Sequence, residues 1–581
     1  MKIKKKARKI ISSILGLVLT VTTITVTSYA IQSSGIKTID IDCNNVIQSD
    51  FYGVGTNVLP FSLMENNKSK GYSDAYFELE KQRFLRLKPS IVRVWTQIDW
   101  FVCSEDFVSN GGSGEHYKNG EYDFNSPNMV AFLKYMDMFK DAGSDVMLVT
   151  NWKVGTDIQD WFCIDGINTP NSSAPADIDA YSTACTAFVK FLYDSGYNNV
   201  KYISVANEPN LYDFAAHGDE YAYYIKTAKS LKSAINSSNL PIKMVGLDVS
   251  ENSTTSNDWI PKTFKKDYSD LFDSYAYHEY DSVNISKTYL NDISNLNLYN
   301  KPLFLTEFGY LNSNVTYSSS HAGMVLMSAL NGVNGALTWY LDDVYGENPL
   351  SGEYTLGGDM GMWYPPQNND SVKDIFYEIS LLTNYIPAHS KVVSTGISGS
   401  LFGSDSNARA ATFTDDSGNI TIITELAKSS ADTLKINING LNLNGKKIYK
   451  HVYKQNQMEP DGNAIIPVTS KIIDGTQLIT DEVDTDCRRV IVYTTIPEKD
   501  QMIMNHVTAN VGVGGSLSLV ATTVNGNNNI GWEVINGGGS VSDSGVYKAD
   551  TGSVSSGETV AIKAYSLSDP KVYGITVITI K

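Results

Sequence analysis

Eight short apolar runs alternate with longer amphipathic stretches between Phe51 and about Ala388. Each run has the length of a buried strand, whereas intervals such as 129–142 and 179–193 have helical periodicity. Alternating strands and helices imply a parallel sheet, and eight such units close into a (β/α)8 barrel. We therefore predict a (β/α)8 barrel domain over residues 51–388. The eight runs are 52–55, 91–95, 146–150, 200–206, 242–247, 272–277, 303–306 and 335–339.

The rest of the chain has a different pattern. A chain of 581 residues is too long for one hydrophobic core, so further domains are expected. Residues 389–496 contain short alternating segments separated by Gly, Asn and Asp, which predicts an antiparallel β-sandwich. A strand-like segment within 31–50 precedes the barrel and is expected to join that sandwich. Residues 497–581 begin with a linker-like stretch and continue with further strand-like segments.

The N-terminus has the pattern of a secretory signal peptide. Residues 2–9 are strongly basic, 10–26 are apolar and uncharged, and Ser28-Tyr29-Ala30 supplies small residues for cleavage. Residues 1–30 are therefore expected to be removed, and the mature protein is expected to be secreted or associated with the cell surface. The alternative is a membrane anchor, since the apolar run is almost long enough to span a bilayer.

Charge and cysteine content narrow the functional classes. Removal of the six basic residues in 1–30 changes the formal charge from −17 to −23, which disfavours nucleic acid and suits a neutral glycan. The five cysteines are an odd number without CxxC spacing, so we expect mostly buried or incidental thiols and no metal site. Cys103 and Cys163 could pair, but the sequence leaves this open.

Two glutamates follow apolar strand-like runs 99 positions apart. Glu208 lies in Asn207-Glu208-Pro209 after the fourth run, and Glu307 follows the seventh. Active sites of such barrels lie at the C-terminal ends of the strands. Retaining glycoside hydrolysis needs two carboxyl groups, one as general acid/base and one as nucleophile. The rival interpretation of both residues is a buried structural ion pair.

The barrel resembles clan A of the glycoside hydrolases over most of residues 45–388. That clan has an Asn-Glu-Pro motif after strand four and a glutamate after strand seven, here Asn207-Glu208-Pro209 and Glu307. The resemblance implies that Glu208 is the acid/base and that Glu307 is the nucleophile. It implies a carbohydrate substrate and no metal or organic cofactor.

Further site residues follow from the same resemblance. The resemblance implies that Arg93 places a positive charge near the nucleophile, that Asn207 contacts the sugar 2-hydroxyl and that Tyr280 orients the nucleophile. It also implies that His278 lines a subsite and that Trp339 forms an aromatic floor beneath the sugar. A structural salt bridge and a core histidine remain the alternatives for Arg93 and His278. Asp342 and Asp343 are expected to be solvated loop acids. Two further candidates for the cleft are Asn151 and Trp152, which follow the third apolar run.

The last 80 or so residues resemble bacterial Ig-like domains through Gly531-Trp532-Glu533-Val534 and Gly545-Val546-Tyr547. Such a domain implies spacing or contact with a cell wall or polysaccharide, with Trp532 in its core. The whole sequence predicts a monomeric, secreted retaining β-glycosidase acting on a neutral plant or microbial polysaccharide or oligosaccharide. The alternatives are a non-catalytic glycan-binding surface protein and a transglycosylase built on the same barrel.

Overall fold

The computed structural model leaves the predicted signal peptide outside its described part. No helix among the described residues is long and apolar enough to cross a membrane. Cys103 and Cys163 also lie outside them, while Cys43, Cys185 and Cys487 are free thiols. The described residues are 35–101, 121–149, 174–175, 177–210, 219–250, 259, 262–263, 268, 270–281, 301–310, 316–347, 354–356, 358–368, 370–398, 403–404, 406–463, 471–474 and 478–581.

Eight parallel strands form a closed barrel, which confirms the predicted fold class. The first and last of them pair in parallel, with Gly53 opposite Gly335, and so close the ring. Large side chains such as Tyr202 and Phe304 fill the interior, as a small barrel requires. A strand β1 precedes the barrel strands β2–β9. Their bounds are Ile36–Phe51, Gly53–Val58, Ile91–Trp95, Asp145–Val149, Val200–Ser204, Lys243–Ser250, Ser274–Tyr280, Leu303–Gly309 and Gly335–Thr338.

Helices cover the outside of the barrel, and five of the seven described α-helices begin at a residue whose side chain caps the helix. Ser126 accepts a hydrogen bond from the Met129 N–H at one helix start, and Gly143 ends that helix in the left-handed conformation. Seven α-helices, α1–α7, and two short 3-10 helices are described. Their bounds are Glu65–Lys68, Asp74–Leu87, Pro127–Ala142, Ile178–Asp194, Glu220–Ser237, His321–Leu330 and Asp374–Tyr385, with 3-10 turns at Ile98–Trp100 and Pro366–Asn368.

A nine-stranded sheet follows the barrel and includes β1 from the N-terminal side. β1 pairs antiparallel with β12 and parallel with β15, so one pair departs from the antiparallel pattern. The sheet order is β17-β16-β19-β14-β13-β12-β1-β15-β18, and β10 and β11 form a separate hairpin. The bounds of β10–β19 are Tyr345–Glu347, Tyr354–Leu356, Ser390–Ile397, Ala408–Thr414, Ile420–Leu426, Thr433–Asn439, Lys447–Lys454, Lys471–Asp474, Leu478–Glu482 and Arg489–Thr494.

The two faces of this sheet pack against different partners. One face encloses its own core, to which Ile39 of β1 and Ile436 of β15 contribute. The other face joins the barrel core through residues such as Phe413. A buried ion pair crosses the junction, because Nη2 of Arg488 lies 2.6 Å from Oε2 of Glu378 on α7. The barrel and the sandwich therefore share one continuous interface.

The C-terminal domain, residues 497–581, packs directly against the barrel. Its three small sheets enclose a core to which the partly buried Trp532 packs. Ala75 and Leu79 of helix α2 bury their side chains among apolar residues of this domain. The bounds of β20–β28 are Met502–Met504, Thr508–Val511, Ser516–Ser518, Ala521–Thr523, Ile530–Asn536, Ser540–Val541, Val546–Lys548, Thr559–Ser566 and Tyr573–Ile580.

Candidate active site

Glu208 and Glu307 come together at the C-terminal end of the barrel. Glu208 follows β5, the fourth barrel strand, and Glu307 lies near the end of β8, the seventh. Ligand atoms of Glu208, His278 and Glu307 all lie within 4.8 Å of one another. The two glutamates are 8% and 4% exposed, so their carboxyl groups face a largely desolvated space.

Arg93 and Tyr280 hold the carboxylate of Glu307 from two sides. Nη1 of Arg93 donates to Oε1 at 2.6 Å, and the Tyr280 hydroxyl donates to Oε2 at 2.6 Å. Burial and the charge of Glu307 raise the pKa of Tyr280 well above its ordinary value, so its hydroxyl stays protonated. Each oxygen of Glu307 thus accepts one strong hydrogen bond, and the orientation of the carboxylate is fixed.

His278 connects Glu208 to the rest of the cluster. Its Nδ1 lies 2.9 Å from Oε1 of Glu208 and 3.4 Å from Oε2 of Glu307. Burial lowers the pKa of His278, but the carboxylates of Glu307, Asp248 and Glu208 raise it to about 10. The ring is therefore an imidazolium at neutral pH and donates from both nitrogens.

Asp248, at the end of β6, is a site residue that the motifs did not predict. Its carboxylate is fully buried and accepts hydrogen bonds from Arg93 at 2.8 Å and from His278 at 3.1 Å. Burial raises the pKa of Asp248, but Arg93 and His278 together hold it well below its usual range. One sequence signal was present, because Asp248 directly follows the apolar run 242–247, as Glu208 and Glu307 follow theirs.

Asn207 and Asn57 complete the set of groups around Arg93. The Asn207 Oδ1 accepts from Nη2 of Arg93 at 2.7 Å, and the Asn57 Oδ1 accepts from Nη1 at 2.8 Å. The side-chain NH2 of Asn207 is thus the group left to donate to a substrate hydroxyl. Asn57, at the end of the first barrel strand, was not anticipated from the sequence.

The backbone is irregular where these side chains project. Glu208 and Asp248 have φ values of 42° and 52°, in the left-handed region that costs free energy for a residue other than glycine. The backbone N–H of Glu208 donates to the Asp248 carbonyl at 3.0 Å, which ties the two strand ends together. Register shifts also interrupt the β6–β7 and β7–β8 pairings beside the site, and such bulges re-aim side chains.

The site also contains groups that could be considered for a metal ion. Glu208, His278 and Glu307 offer convergent ligand atoms. A metal needs a neutral imidazole, however, and the neighbouring carboxylates keep a proton on both nitrogens of His278. Both oxygens of Glu307 already accept hydrogen bonds. The donor set therefore suits proton transfer and nucleophilic attack better than metal coordination.

Aromatic side chains lie beside Arg93, whose guanidinium is 5.2 Å from the centroid of the Trp95 ring. The rings of Trp339 and Trp95 meet edge to face with centroids 5.3 Å apart, and Trp339 is partly exposed. The peptide bond between Trp339 and Tyr340 is cis. An exposed indole face in this position can stack on the apolar face of a sugar ring. Asn151 and Trp152, the other two predicted cleft residues, lie outside the described part of the chain.

The two acids after Trp339 are not solvated, so that expectation was wrong. Asp342 and Asp343 are 1% and 0% exposed. Asp343 accepts hydrogen bonds from Lys373 and from the Gly361 N–H. Burial, together with Glu80 and Asp343, raises the pKa of Asp342 well above its ordinary value. Their burial was not predictable from the sequence, because both acids lie in a segment with loop-like composition.

The comparisons with known proteins agree with this geometry. Residues 192–334 match the family model of the glycosyl hydrolase catalytic core, a segment that contains both glutamates as well as Asp248, His278 and Tyr280. No curated protein matches the chain in sequence. The site and the family match together define the class of protein. It is a glycoside hydrolase, an enzyme that acts on a carbohydrate substrate.

Solved structures share its fold at low sequence identity. An endo-β-1,6-glucanase has a TM-score of 0.53 at 14% identity, over 79% of this chain and 94% of its own. A glucosidase from Croceicoccus marinus has a TM-score of 0.53 at 11% identity, over 80% of this chain and 100% of its own. A GH30 endoxylanase from Clostridium papyrosolvens C71 has a TM-score of 0.51 at 14% identity, over 78% and 99%. These likenesses show the fold, a parallel (β/α)8 barrel joined to a β-sandwich.

Proposed function

We propose that the protein is a retaining β-glycosidase that works by double displacement. The observation that carries this proposal is the approach of Glu208 and Glu307 to within 4.8 Å, measured between carboxylate oxygens. Retaining enzymes hold their two carboxyl groups about 5–5.5 Å apart, whereas inverting enzymes need about 6.5–9.5 Å to admit a water molecule. The pair is too close for the inverting arrangement.

The surroundings of the two glutamates support different roles for them. Arg93 and Tyr280 hold Glu307 and orient its carboxylate for attack on the anomeric carbon. Burial raises the pKa of Glu307, and the positive charges of His278 and Arg93 oppose that rise. Glu208 has no arginine partner among its described contacts. It would protonate the leaving oxygen in the first step and deprotonate water in the second. With Glu208 protonated, the two cations Arg93 and His278 balance the carboxylates of Glu307 and Asp248, and the buried cluster is neutral.

The substrate class in this proposal is a neutral β-linked glycan. Relatives in fold include an endoxylanase, an endo-β-1,6-glucanase and a glucosidase, so β-xylosides and β-glucosides are the first substrates to test. The acidic balance of the chain, −17 in total, disfavours polyanionic glycans through repulsion. The same proposal includes export through the signal sequence in 1–30. It also includes contact between an Ig-like C-terminal domain and a cell wall or polysaccharide.

The test uses aryl β-xylosides and β-glucosides, xylan and β-glucans, with wild type, Glu208→Ala and Glu307→Ala. Both variants should lose activity by at least about 10³-fold on unactivated substrates. Glu80→Gln, at a buried glutamate whose Oε2 accepts from the Ser62 hydroxyl, is the matched control. Azide should rescue Glu208→Ala with a β-glycosyl azide product and Glu307→Ala with an α-glycosyl azide.

The stereochemistry of hydrolysis decides the mechanism. Proton NMR of a running reaction should show the β-anomer of the released sugar first, before mutarotation. First appearance of the α-anomer would contradict a retaining mechanism. Products elongated by an added sugar or alcohol acceptor would instead identify the enzyme as a transglycosylase using the same two glutamates.

A further inference from the structure

The carboxylate of Asp248 lies at the centre of the buried polar cluster and accepts hydrogen bonds from four donors. Oδ2 accepts from Nη2 of Arg93 at 2.8 Å and from the Ser204 hydroxyl at 2.8 Å. Oδ1 accepts from Nε2 of His278 at 3.1 Å and from the Thr306 hydroxyl at 2.6 Å. With four donors and no exposed surface, this carboxylate does not reach substrate.

The two charged partners of Asp248 each continue to a different glutamate. Nη1 of Arg93 donates to Glu307, and Nδ1 of His278 lies at hydrogen-bond distance from Glu208. The chain of contacts therefore runs from one glutamate through Asp248 to the other. The Asp248 carbonyl also accepts from the Glu208 backbone N–H. One residue thus connects both halves of the site.

We propose that Asp248 is the positioning residue for the carboxylates of Glu208 and Glu307, an inference that rests on the proposed function. It holds Arg93 as the partner of Glu307 and keeps His278 as a hydrogen-bond donor to Glu208. A carboxylate can only accept, so Nε2 of His278 must carry a proton where it faces Oδ1. The negative charge of Asp248 also favours the second proton, on Nδ1, because it stabilises the imidazolium.

The fixed protonation of His278 determines which oxygen of Glu208 can do the chemistry. Nδ1–H donates to Oε1, so Oε1 is occupied as an acceptor and the acid proton resides on Oε2. In the first step that proton passes from Oε2 to the leaving oxygen. In the second step Oε2 takes a proton from the attacking water, and His278 keeps both of its own protons throughout. A neutral His278 with a bare Nδ1 would instead compete for the acid proton.

The charged groups that face His278 in the described part of the chain are consistent with this role. The carboxylates of Glu208, Asp248 and Glu307 approach from three other strand ends, and Arg93 lies on the far side of Asp248. Tyr280, on the same strand as His278, donates to Glu307. Burial lowers the pKa of His278, but the three carboxylates raise it to about 10, above the working range of most glycosidic chemistry.

The experiment uses Asp248→Asn in the full-length enzyme. The amide oxygen can still accept from Arg93, and its NH2 can donate to Nε2 of a neutral His278 that carries its proton on Nδ1. The shape and hydrogen bonds can therefore survive while the charge is lost. Asn210→Ala is the matched control, because the Asn210 side chain links the same two strand ends through hydrogen bonds with the Ser250 backbone.

Two measurements decide the outcome. Nitrogen-15 NMR should show both ring nitrogens of His278 protonated well above pH 8 in the wild type and in Asn210→Ala. In Asp248→Asn the pKa of His278 should fall by about 1–3 units. The alkaline limb of the kcat profile should move down with it, and kcat should fall by about 10²-fold while KM changes little.

The results separate this inference from the proposed function. A wild-type His278 that titrates near its ordinary value of about 6.5 overturns the inference, and this result needs no variant. An active Asp248→Asn enzyme with the wild-type pH profile and His278 titration overturns it as well. A wild type that is inactive on every β-glycoside overturns the proposed function instead, while the NMR titration still decides whether Asp248 sets the charge of His278.

Discussion

Arg93 and Glu307 form a buried ion pair, with 2.6 Å between Nη1 and Oε1 and neither side chain more than 5% exposed. The same guanidinium also donates to Asn57, Asn207 and Asp248. A planar fork with several N–H groups can serve four acceptors at once, which a lysine ammonium cannot. Arg93 therefore fixes the relative positions of side chains from five barrel strands or strand ends, its own included.

Arg93→Lys should lower kcat/KM on an aryl β-glycoside by about 10²–10³-fold. The ammonium keeps the positive charge but loses the fork that orients Glu307, and loss of one preorganised donor costs about that much in other active sites. Arg83→Lys is the control, since Arg83 is equally buried but pairs with Asp370 away from the two glutamates. Its activity per folded molecule should stay within a few-fold of wild type. Near-normal turnover by Arg93→Lys would show that charge alone suffices.

Tyr280→Phe should slow the second step of the reaction more than the first. The Tyr280 hydroxyl donates to Oε2 of Glu307 at 2.6 Å, and this bond stabilises the carboxylate as it leaves the sugar. We expect kcat to fall by about 10–10²-fold and a burst of aryl leaving group in stopped-flow assays of an activated substrate. Tyr193→Phe removes a hydrogen bond from the Tyr193 hydroxyl to the Val200 carbonyl at the start of β5, and it should show neither effect. Equal slowing of both steps would argue against this role.

Much of the barrel was predictable because each strand satisfies a local rule. The run 303–306 is short and mostly apolar, so its burial is visible in the sequence, although the strand continues past Glu307 to Gly309. The positions of Glu208 and Glu307 followed from the order of those runs. The parallel pairing of β1 with β15 joins segments almost 400 residues apart, and nothing local specifies it.

The centre of the site was less predictable than its two glutamates. Asp248 has no motif around it, and it lies at the register shift between Leu247 and Val249 in the pairing of β6 with β7. Such register shifts arise from the closure of the whole barrel rather than from neighbouring residues. Docking of the C-terminal domain was missed for a related reason. Ala75 and Leu79 look like ordinary core residues of an amphipathic helix, whichever domain covers them.

Glu80→Gln should stabilise the protein at pH 8 and have little effect at pH 5. Burial raises the pKa of Glu80 from 4.5 to about 7, against the hydrogen bonds from Tyr135 and Ser62. Folding therefore favours the protonated form, and stability is lost as the pH rises from 4.5 through 7. Two and a half pH units correspond to roughly 3 kcal/mol, which a neutral glutamine would recover.

Thermal unfolding at pH 5 and pH 8 checks the effect of Glu80→Gln. Glu65→Gln, an exposed glutamate on α1, is the matched control and should shift neither melting temperature. A stabilisation that is equal at both pH values would mean that the ionisation of Glu80 does not cause it.

Leu79→Ala should weaken the C-terminal domain and the barrel together. Leu79 is 1% exposed and packs in one apolar cluster with Val507, Ala561 and Ile575. Gln82, on the same helix, donates to the Tyr573 carbonyl at 3.0 Å. Removal of a buried leucine side chain costs about 2–5 kcal/mol, and here the loss falls on the interface. We expect a lower melting temperature and faster proteolysis in 496–500.

Lys81→Ala is the matched control for this interface, because Lys81 lies on the same helix and pairs with Asp141 at the surface. It should change stability by less than about 0.5 kcal/mol and leave proteolysis unchanged. A domain that only served as a tethered spacer would unfold in its own transition, and Leu79→Ala would then affect the barrel transition alone. A single transition that shifts as a whole would instead show that the barrel and the C-terminal domain stabilise each other through α2.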